Sequence, residues 1–465
     1  MAANHPQDVI QALYEGRLSR RGFIARASAL GMSASVITAA LSRRGASAQD
    51  ATATVAAPTP TPVVPVQHGS ADAKVKIRYW TILGGPDGDE MSALVDKFTT
   101  DNPDIGVESL QGLTDFVPKM QAASISGTAP DVALLRNHYI GAFASKGVLT
   151  PITTDELTQG GIKAEDFDQT VWGFTKYQDQ QYTVPLDIHC FAMLYNKKLL
   201  SAANVAVPTT LDEWKAVNQA TSTADVNGYQ NWILNNNDPA NFTWLWFNFQ
   251  KQFGGQFLSD DGSKAAFNTP EGVAAVTWMK EMEDIGNPKH LPYFDLERNG
   301  QVATWPDGPW IITAMFNPEQ APASADLDAA ALPQKDPAKP AVWAQSHQLS
   351  LPKQGSPDDA RRQASLKFID WMTAHSIDWA KAGQVPARNS ARAEALASTD
   401  PYLVKLKSWA AELTYANFMP TNVPTMLELL PRIGSHVIGA LLGQEAIADA
   451  LNNAESEVND IISNA

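Results

Sequence analysis

The sequence predicts a protein of the α/β class, built on a mostly parallel sheet. Between residues 75 and 135, β-rich segments alternate with amphipathic ones. The predicted order is strand 75–80, helix 91–99, strand 107–110, helix 115–125 and strand 131–135. Such alternation places helices on both faces of a parallel sheet. With 465 residues, 44% of them hydrophobic, the chain has room for two or three domain-sized units and a sizeable core.

The carboxyl ends of these strands are candidate binding positions. In open α/β sheets, ligands sit in the crevice outside the carboxyl ends of the strands. Trp80 ends the first strand, and Asn137 and His138 follow the third. We therefore expect these three side chains to line a binding site.

Charge and cysteine content exclude several classes of function. A net charge of −15 at pH 7 argues against a nucleic-acid partner and against anionic membrane surfaces. The single cysteine, Cys190, excludes an internal disulfide and any multi-cysteine zinc or iron–sulfur centre. No H-E-x-x-H, G-x-S-x-G or Walker A string occurs, and we expect no metal and no cofactor.

The first 74 residues are predicted to lie outside the fold. Residues 19–24 (SRRGFI) hold an arginine pair, a mildly apolar stretch follows, and Ala46–Ala48 fits an A-x-A cleavage site. Together they resemble a twin-arginine (Tat) signal peptide at 1–48, which implies export of a folded protein; the alternative is a basic amphipathic helix. Residues 49–74 contain a Pro/Thr/Ala-rich run and are predicted to be a linker. Whether the signal is cleaved or kept as an anchor stays open.

Residues 304–316 (TWPDGPWIITAMF) combine aromatic side chains with a turn. Pro306 should end a strand, and Gly308 should supply a turn with positive φ. Pro309 suits the first turn of a helix, which places Trp310 at the start of that helix. An indole beside free backbone N–H groups suits a neutral sugar or polyol. The alternative is a buried turn whose tryptophans fill the core.

Three other stretches matter for the site. Residues 181–196 are extended throughout and long for one strand, so they are predicted to cross between two units. Residues 241–253 are aromatic on more than one helix face, which indicates a buried helix that could still line a cleft through Trp246. A capping box begins a helix after Thr210.

Five motifs are spread along the chain after residue 74. They are Gly127–Val132 (GTAPDV), Tyr182–Pro185 followed by Leu194–Lys197 (LYNK), Pro208–Trp214 (PTTLDEW), Asp307–Trp310 (DGPW) and Gly383–Arg388 (GQVPAR). In this order and at this spacing they resemble the motifs of a family-1, maltose-binding-like extracellular solute-binding protein of an ABC importer, and the resemblance covers nearly all of the chain after residue 74.

The resemblance implies a two-lobe periplasmic-binding-protein fold of type II. Lobe one would be residues 75–187 plus 346–383, and lobe two 188–345 plus 384–465. Three crossovers would join the lobes, and the ligand would lie in the cleft between them. The implied function is capture of a sugar or related polyol, in the periplasm or at the outer face of the cytoplasmic membrane, and delivery to the membrane permease subunits of an ABC importer. We expect a monomer.

The resemblance also implies which side chains contact the ligand. Trp310 is the expected stacking platform, and core packing is its alternative. Trp305 is expected in the core. The further candidates are Trp80, Asn137, His138, Asp187, His189, Trp246, Asp307 and Arg388, with His347 a weaker one. For Asp187 the alternative is a hinge-capping or structural hydrogen bond, for His138 and His189 it is packing, and for Arg388 it is a bond to an acidic neighbour. The chain departs from the maltose-binding pattern after Met419-Pro420, because no aromatic follows within the next helix start, and maltodextrin is therefore a doubtful ligand.

Two other classes of function are left open at this point. A non-sugar solute, of glycerol-phosphate or polyamine type, would need clustered cations or carboxylates beside the cleft. A secreted glycoside hydrolase would need two carboxylates at a set separation, and no pair is nominated by the sequence.

Overall fold

The structure, a computed structural model, describes residues 64–113, 115–231, 238–289, 291 and 294–465. The predicted signal peptide at 1–48 and most of the predicted linker at 49–74 lie outside the described residues.

The strands, in chain order, are β1 Val66–His68, β2 Val75–Thr81, β3 Ile105–Leu110, β4 Val132–Arg136, β5 Lys176–Tyr177, β6 Gln180–Gln181, β7 Thr183–Pro185, β8 Asp187–Cys190, β9 Ala192–Asn196, β10 Asn227–Tyr229, β11 Val302–Asp307, β12 Leu327–Ala330, β13 Val342–Gln345, β14 His347–Ser350, β15 Val385–Pro386 and β16 Ala416–Phe418. The helices are α1 Gly85–Asp101, α2 Phe116–Ser126, α3 Ile140–Ala144, α4 Thr154–Gln159, α5 Gln169–Gly173, α6 Lys197–Ala202, α7 Leu211–Thr221, α8 Pro239–Gln252, α9 Pro270–Gly286, α10 Phe294–Arg298, α11 Ile312–Phe316, α12 Asp359–Ala374, α13 Ser376–Ala380, α14 Asn389–Ala397, α15 Pro401–Glu412, α16 Met426–Leu441 and α17 Ile447–Ser463.

The predicted βαβαβ unit is present and forms the centre of a six-stranded sheet. Its order is β1-β3-β2-β4-β14-β7, with β2 parallel to both β3 and β4. β14 joins this sheet antiparallel to β4, although it lies more than 200 residues later. The sheet is therefore completed by a chain segment that returns from the other half of the molecule.

The end of the predicted linker is part of this sheet. β1 pairs antiparallel with β3, and the His68 ring is buried between the Asp96 carboxyl, at 2.7 Å, and the Ser109 hydroxyl, at 2.8 Å. The linker prediction is thus too long at its C-terminal end. A three-residue strand is too short to show alternation in the sequence. The hydrogen bonds that hold His68 are contacts between distant residues, which the local sequence does not show.

A second, four-stranded sheet has the order β10-β11-β9-β12. Beside it, α7 begins with the predicted capping box of Thr210 and Glu213, and the Trp214 indole donates to Thr304 at 2.8 Å. Aromatic α8 is buried along most of its length and packs against α16. At that crossing, a Cβ on Gly434 would lie 1.8 Å from the Pro239 carbonyl oxygen, so only glycine permits the close approach.

Two local predictions for residues 304–309 are wrong. Strand β11 continues through Pro306. The neighbouring strand β10 pairs with β11 only as far as Thr304, so the N–H that Pro306 lacks removes no hydrogen bond between these two strands. Gly308 has φ −89°, not a positive value. Its role is steric, since a Cβ there would lie 2.1 Å from a ring carbon of Trp310.

Candidate functional site

A third sheet, also four-stranded but with shorter strands, gathers the connections between the six-stranded sheet and the sheet of β9 to β12, which are called the two large sheets below. Its order is β15-β8-β13-β16. β7 continues into β8 across Leu186, and β13 continues into β14 across Ser346. β15 follows α13 and pairs with β8 through Pro386 and Asp187. Three chain segments that run between the large sheets therefore meet here, and their side chains form the candidate site.

Aromatic rings converge on this third sheet. Trp310 makes edge-on contacts with His189, Phe191 and Trp343, at centroid distances of 5.7, 6.4 and 6.4 Å. Trp343 lies in β13 and stacks on Trp244 of α8 at 5.0 Å and 10° between planes. Trp310 keeps part of its surface exposed, whereas Trp343 is completely buried. One partly open indole thus stands on a buried aromatic base.

Trp310 is held in a fixed orientation by the turn that carries it. It lies in a 3-10 turn, Pro309–Ile311, directly before α11, as predicted for a tryptophan in the first helical turn. The Asp307 carboxyl accepts the Gly308 N–H at 2.7 Å and also a hydrogen bond from the Trp310 side chain. Since Asp307 is almost fully buried, burial raises its pKa well above the ordinary range. The Asp307 carboxyl therefore fixes the orientation of the Trp310 indole through this hydrogen bond.

The Asp187 carboxylate is a buried acceptor for four donors. One oxygen accepts from the His347 backbone N–H at 3.0 Å and from His189 Nδ1 at 3.2 Å. The other accepts from His347 Nδ1 at 2.8 Å and from the Trp379 indole at 2.7 Å. Although burial opposes ionisation, the nearby His347 ring and these hydrogen bonds hold the pKa of Asp187 below its ordinary value.

The predicted residues after β4 adjoin this network. Gln345 links the rings of His189, at 3.2 Å, and His138, at 2.9 Å. Burial first, and then the Arg136 charge, lower the pKa of His138. Asn137 accepts the Ser346 N–H at 3.3 Å through its side-chain oxygen, and its buried Nδ2 has no partner in the described structure. That amide has a hydrogen-bond donor free for another group.

Three predicted residues lie elsewhere. Trp246 is completely buried against Phe257 and Phe267, at 6.1 and 5.2 Å, because its face of α8 points into the core. Arg388 is held by Asp370 at 2.9 Å and Asp166 at 3.4 Å.

Trp80, the third of them, is half-buried near the end of β2 and packs against an apolar cluster that includes Phe116 and Phe143; Tyr139, which packs on the same cluster, contacts the His138 ring at 4.8 Å. The structure therefore brings together Trp310, His189, Asp187, Asp307, His347, His138 and Asn137, and leaves Trp246, Arg388 and Trp80 outside that group.

Several residues at the site were not nominated from the sequence. Phe191, Trp343 and Trp244 form the aromatic base, and neither strand alternation nor the helical pattern of α8 separated them from core residues. Asp87, in the first turn of α1, lies within electrostatic range of His347 and Asp187. Burial raises the pKa of Asp87 to about 6. Its position in a Gly-Pro-Asp-Gly run after a strand was the available signal.

Two other features of the described residues bear on binding. Asp187, His189 and His347 have ligand atoms within 4.8 Å of one another, which is the spacing of a metal site. A separate cavity of about 780 Å³ is lined by residues such as Leu149, Pro352 and Arg361 and contains no aromatic side chain.

No helix of the described part is long and apolar enough to cross a membrane.

Comparison with known proteins identifies the family. The model of the bacterial extracellular solute-binding protein family matches residues 84–377. The chain belongs to this family. It is 23% identical over 314 residues to the maltotriose-binding protein of Pyrococcus abyssi, covering 64% of this chain and 63% of that protein. It is 26% identical over 244 residues to the sn-glycerol-3-phosphate-binding periplasmic protein UgpB of Escherichia coli K12, covering 47% of this chain and 52% of that protein. The matches thus span less than two thirds of these relatives.

Solved structures show the fold. A cyclic α-maltosyl-1,6-maltose binding protein from Arthrobacter globiformis superimposes with a TM-score of 0.70 at 25% identity, covering 84% of this chain and all (100%) of that one. UgpB from Mycobacterium tuberculosis, solved with glycerophosphocholine, gives 0.71 at 19% identity, over 84% of this chain and 98% of that one. The family member described here therefore has the two-lobe, maltose-binding-like α/β fold. The relatives from Pyrococcus abyssi, Escherichia coli and Arthrobacter globiformis are named as binding proteins.

Proposed function

We propose that this family member captures a sugar or related polyol between its two lobes and delivers it to an ABC importer. The observation that carries the proposal is the partly exposed Trp310, held edge-on to Trp343 at the sheet that joins the lobes. Pyranose C–H faces stack on indole rings, and such contacts contribute about 1 kcal/mol beyond simple burial. Polar groups at the same place would bind the hydroxyls.

Polar groups that could bind hydroxyls adjoin the same Asp187–His189–His347 network as the tryptophan. The unpartnered Asn137 Nδ2 is a donor, and the half-buried Asp87 carboxyl is an acceptor. Asn137 follows β4 and Asp87 follows β2, whereas Trp310 follows β11 of the other large sheet. A ligand that touches both sets stabilises the closed arrangement, because only there are both sets within reach. Binding and closure are thus one event.

The proposal extends to partners and location. We infer export, through the predicted Tat signal, to the periplasm or the outer face of the cytoplasmic membrane. The closed form would be recognised by the permease subunits of the importer, and the protein would act as a monomer without enzymatic activity. The family description as extracellular and the names of the relatives as binding proteins support this inference. The lobe boundaries, 75–187 plus 346–383 and 188–345 plus 384–465, stay predictions.

An anionic polyol, such as a glycerol phosphate or phosphodiester, is the second candidate. Arg136 ends β4 with its guanidinium over Trp244 at 5.0 Å and within 3.3 Å of the Tyr139 hydroxyl. Among the described residues it forms no ion pair with a carboxylate. Arginine is the residue of choice for phosphate, and one unneutralised guanidinium beside the aromatic base favours this ligand class.

Native mass spectrometry of the protein from its own host would identify a retained ligand. Isothermal titration of residues 49–465 should then give a dissociation constant at or below the micromolar range, about −8 kcal/mol, for the identified ligand. The panel includes maltotriose, ribitol, glycerol 3-phosphate and putrescine. Binding of putrescine alone would contradict the proposal, and so would turnover of an oligosaccharide without stoichiometric binding.

A further inference from the structure

The hydrogen bonds and strand pairing of Asp187 involve or adjoin each of the three connections between the two large sheets that the described residues contain. His189 lies on the first connection with Asp187 itself, and His347 begins β14 on the second. Trp379 lies in α13, directly upstream of the third connection, and Pro386 of β15 pairs with Asp187. We propose that Asp187 is a positioning residue that holds the three connections in register, and that it does not contact the ligand.

The carboxylate has no capacity left for a ligand. A carboxylate offers about four lone-pair sites, and Asp187 accepts from four donors at 2.7–3.2 Å. Its exposed fraction is 0%. A sugar hydroxyl could reach it only after displacing a donor that is itself buried, which would leave that donor unsatisfied. The saturation of Asp187 thus separates it from Asn137, whose amide retains a free donor.

The network continues from the connections to the aromatic site. The His189 ring that donates to Asp187 makes edge-on contact with Trp310 at 5.7 Å. The other nitrogen of that ring bonds Gln345, which in turn bonds His138 at the end of β4. A shift of the connections therefore moves a ring against the proposed platform. Through these contacts, Asp187 couples the relative position of the three connections to the position of the aromatic rings around Trp310.

Hydrogen–deuterium exchange in the absence of ligand tests the proposal. In Asp187→Asn, the charge is lost and one acceptor becomes a donor. Amide exchange should rise together in 186–190, 342–350 and 383–388, by roughly tenfold or more, since hydrogen bonds to a buried charge are lost. Asp378→Asn is the matched control, because Asp378 neighbours Trp379 but pairs with the exposed side chains of Lys97 and Lys381. It should leave all three segments unchanged.

Trp379→Phe keeps an aromatic ring, although a smaller one, and removes the indole donor, so it carries the test if Asp187→Asn does not fold. A smaller rise in the same three segments is expected. Unchanged exchange in either folded variant overturns the proposal. Protection of these segments by added Zn²⁺, lost in Asp187→Asn, would make the cluster a metal site and would also overturn it.

This inference rests on the proposed function only in treating the three connections as a hinge that closes the lobes around a ligand. Because the exchange is measured without ligand, a failure of every sugar and polyol to bind would overturn the function and leave this result standing. Conversely, unchanged exchange together with micromolar sugar binding would overturn the role of Asp187 alone.

Discussion

Glu412 predicts a specific dependence of stability on pH. Glu412 is the last residue of α15, and its side chain is completely buried. Burial raises its pKa from 4.5 to about 8, although hydrogen bonds from the Tyr415 side chain and the Leu332 backbone oppose the rise. The folded protein therefore holds a proton between pH 4.5 and about 8 that the unfolded chain has released. Stability from this group is present at low pH and is lost as pH rises through that window.

The magnitude follows from the same values. One pKa unit corresponds to about 1.36 kcal/mol, so the loss between pH 5 and pH 8 is on the order of 3 kcal/mol. Glu412→Gln removes the titration. The free energy of unfolding of the variant, minus that of the wild type, should become more positive by this amount from pH 5 to pH 8.

Urea denaturation of both proteins at pH 5, 6, 7 and 8 measures the difference. Other buried acids, such as Glu283 and Glu297, are present in both proteins and cancel. Glu394→Gln, at an exposed position of α14, is the control and should show no trend. A constant difference between Glu412→Gln and wild type across these pH values would refute the reasoning.

Three further predictions concern packing, capping and specificity. Gly434→Ala should lower the free energy of unfolding by about 2 kcal/mol or more in urea titration, because its Cβ would clash with the Pro239 carbonyl; an unchanged midpoint would contradict the tight crossing. Thr210→Ala should cost about 1 kcal/mol in the same assay through loss of the cap, with Thr210→Ser restoring most of it. Arg136→Gln should weaken an anionic polyol about tenfold or more in titration calorimetry and change a neutral sugar little; equal effects on both would remove the second candidate.

Much of the fold could be predicted because it depends on local patterns. Period-2 and period-3.6 alternation predicts β2, α2 and β4 closely, and the capping box locates α7 at its observed start. α1 begins at Gly85, earlier than predicted, because Pro86 fits the first helical turn even inside a glycine-rich run. The pairing of β14 with β4 could not be predicted from alternation, since it joins distant segments.

The site was predictable where a motif fixes the backbone, and not where packing decides. Trp310 follows Asp-Gly-Pro, and the structure places it at the predicted helix start. Trp246 and Trp244 are two residues apart on one aromatic helix, and only tertiary contacts direct one to the core and the other onto Trp343. Likewise, no local signal shows that the Arg388 guanidinium is held by Asp370 and Asp166.

The most direct test of sugar or polyol binding between the lobes is the affinity of the Trp310→Ala variant. The ligand for this measurement is the one identified by native mass spectrometry. Titration calorimetry should show a loss of tenfold or more, because the stacking face and its buried area are removed. Trp371→Ala is the matched control, since that indole stacks on His375 at 3.9 Å and not on the aromatic site, and its affinity should stay near wild type. Unchanged affinity in a folded Trp310→Ala variant would contradict the proposed binding site.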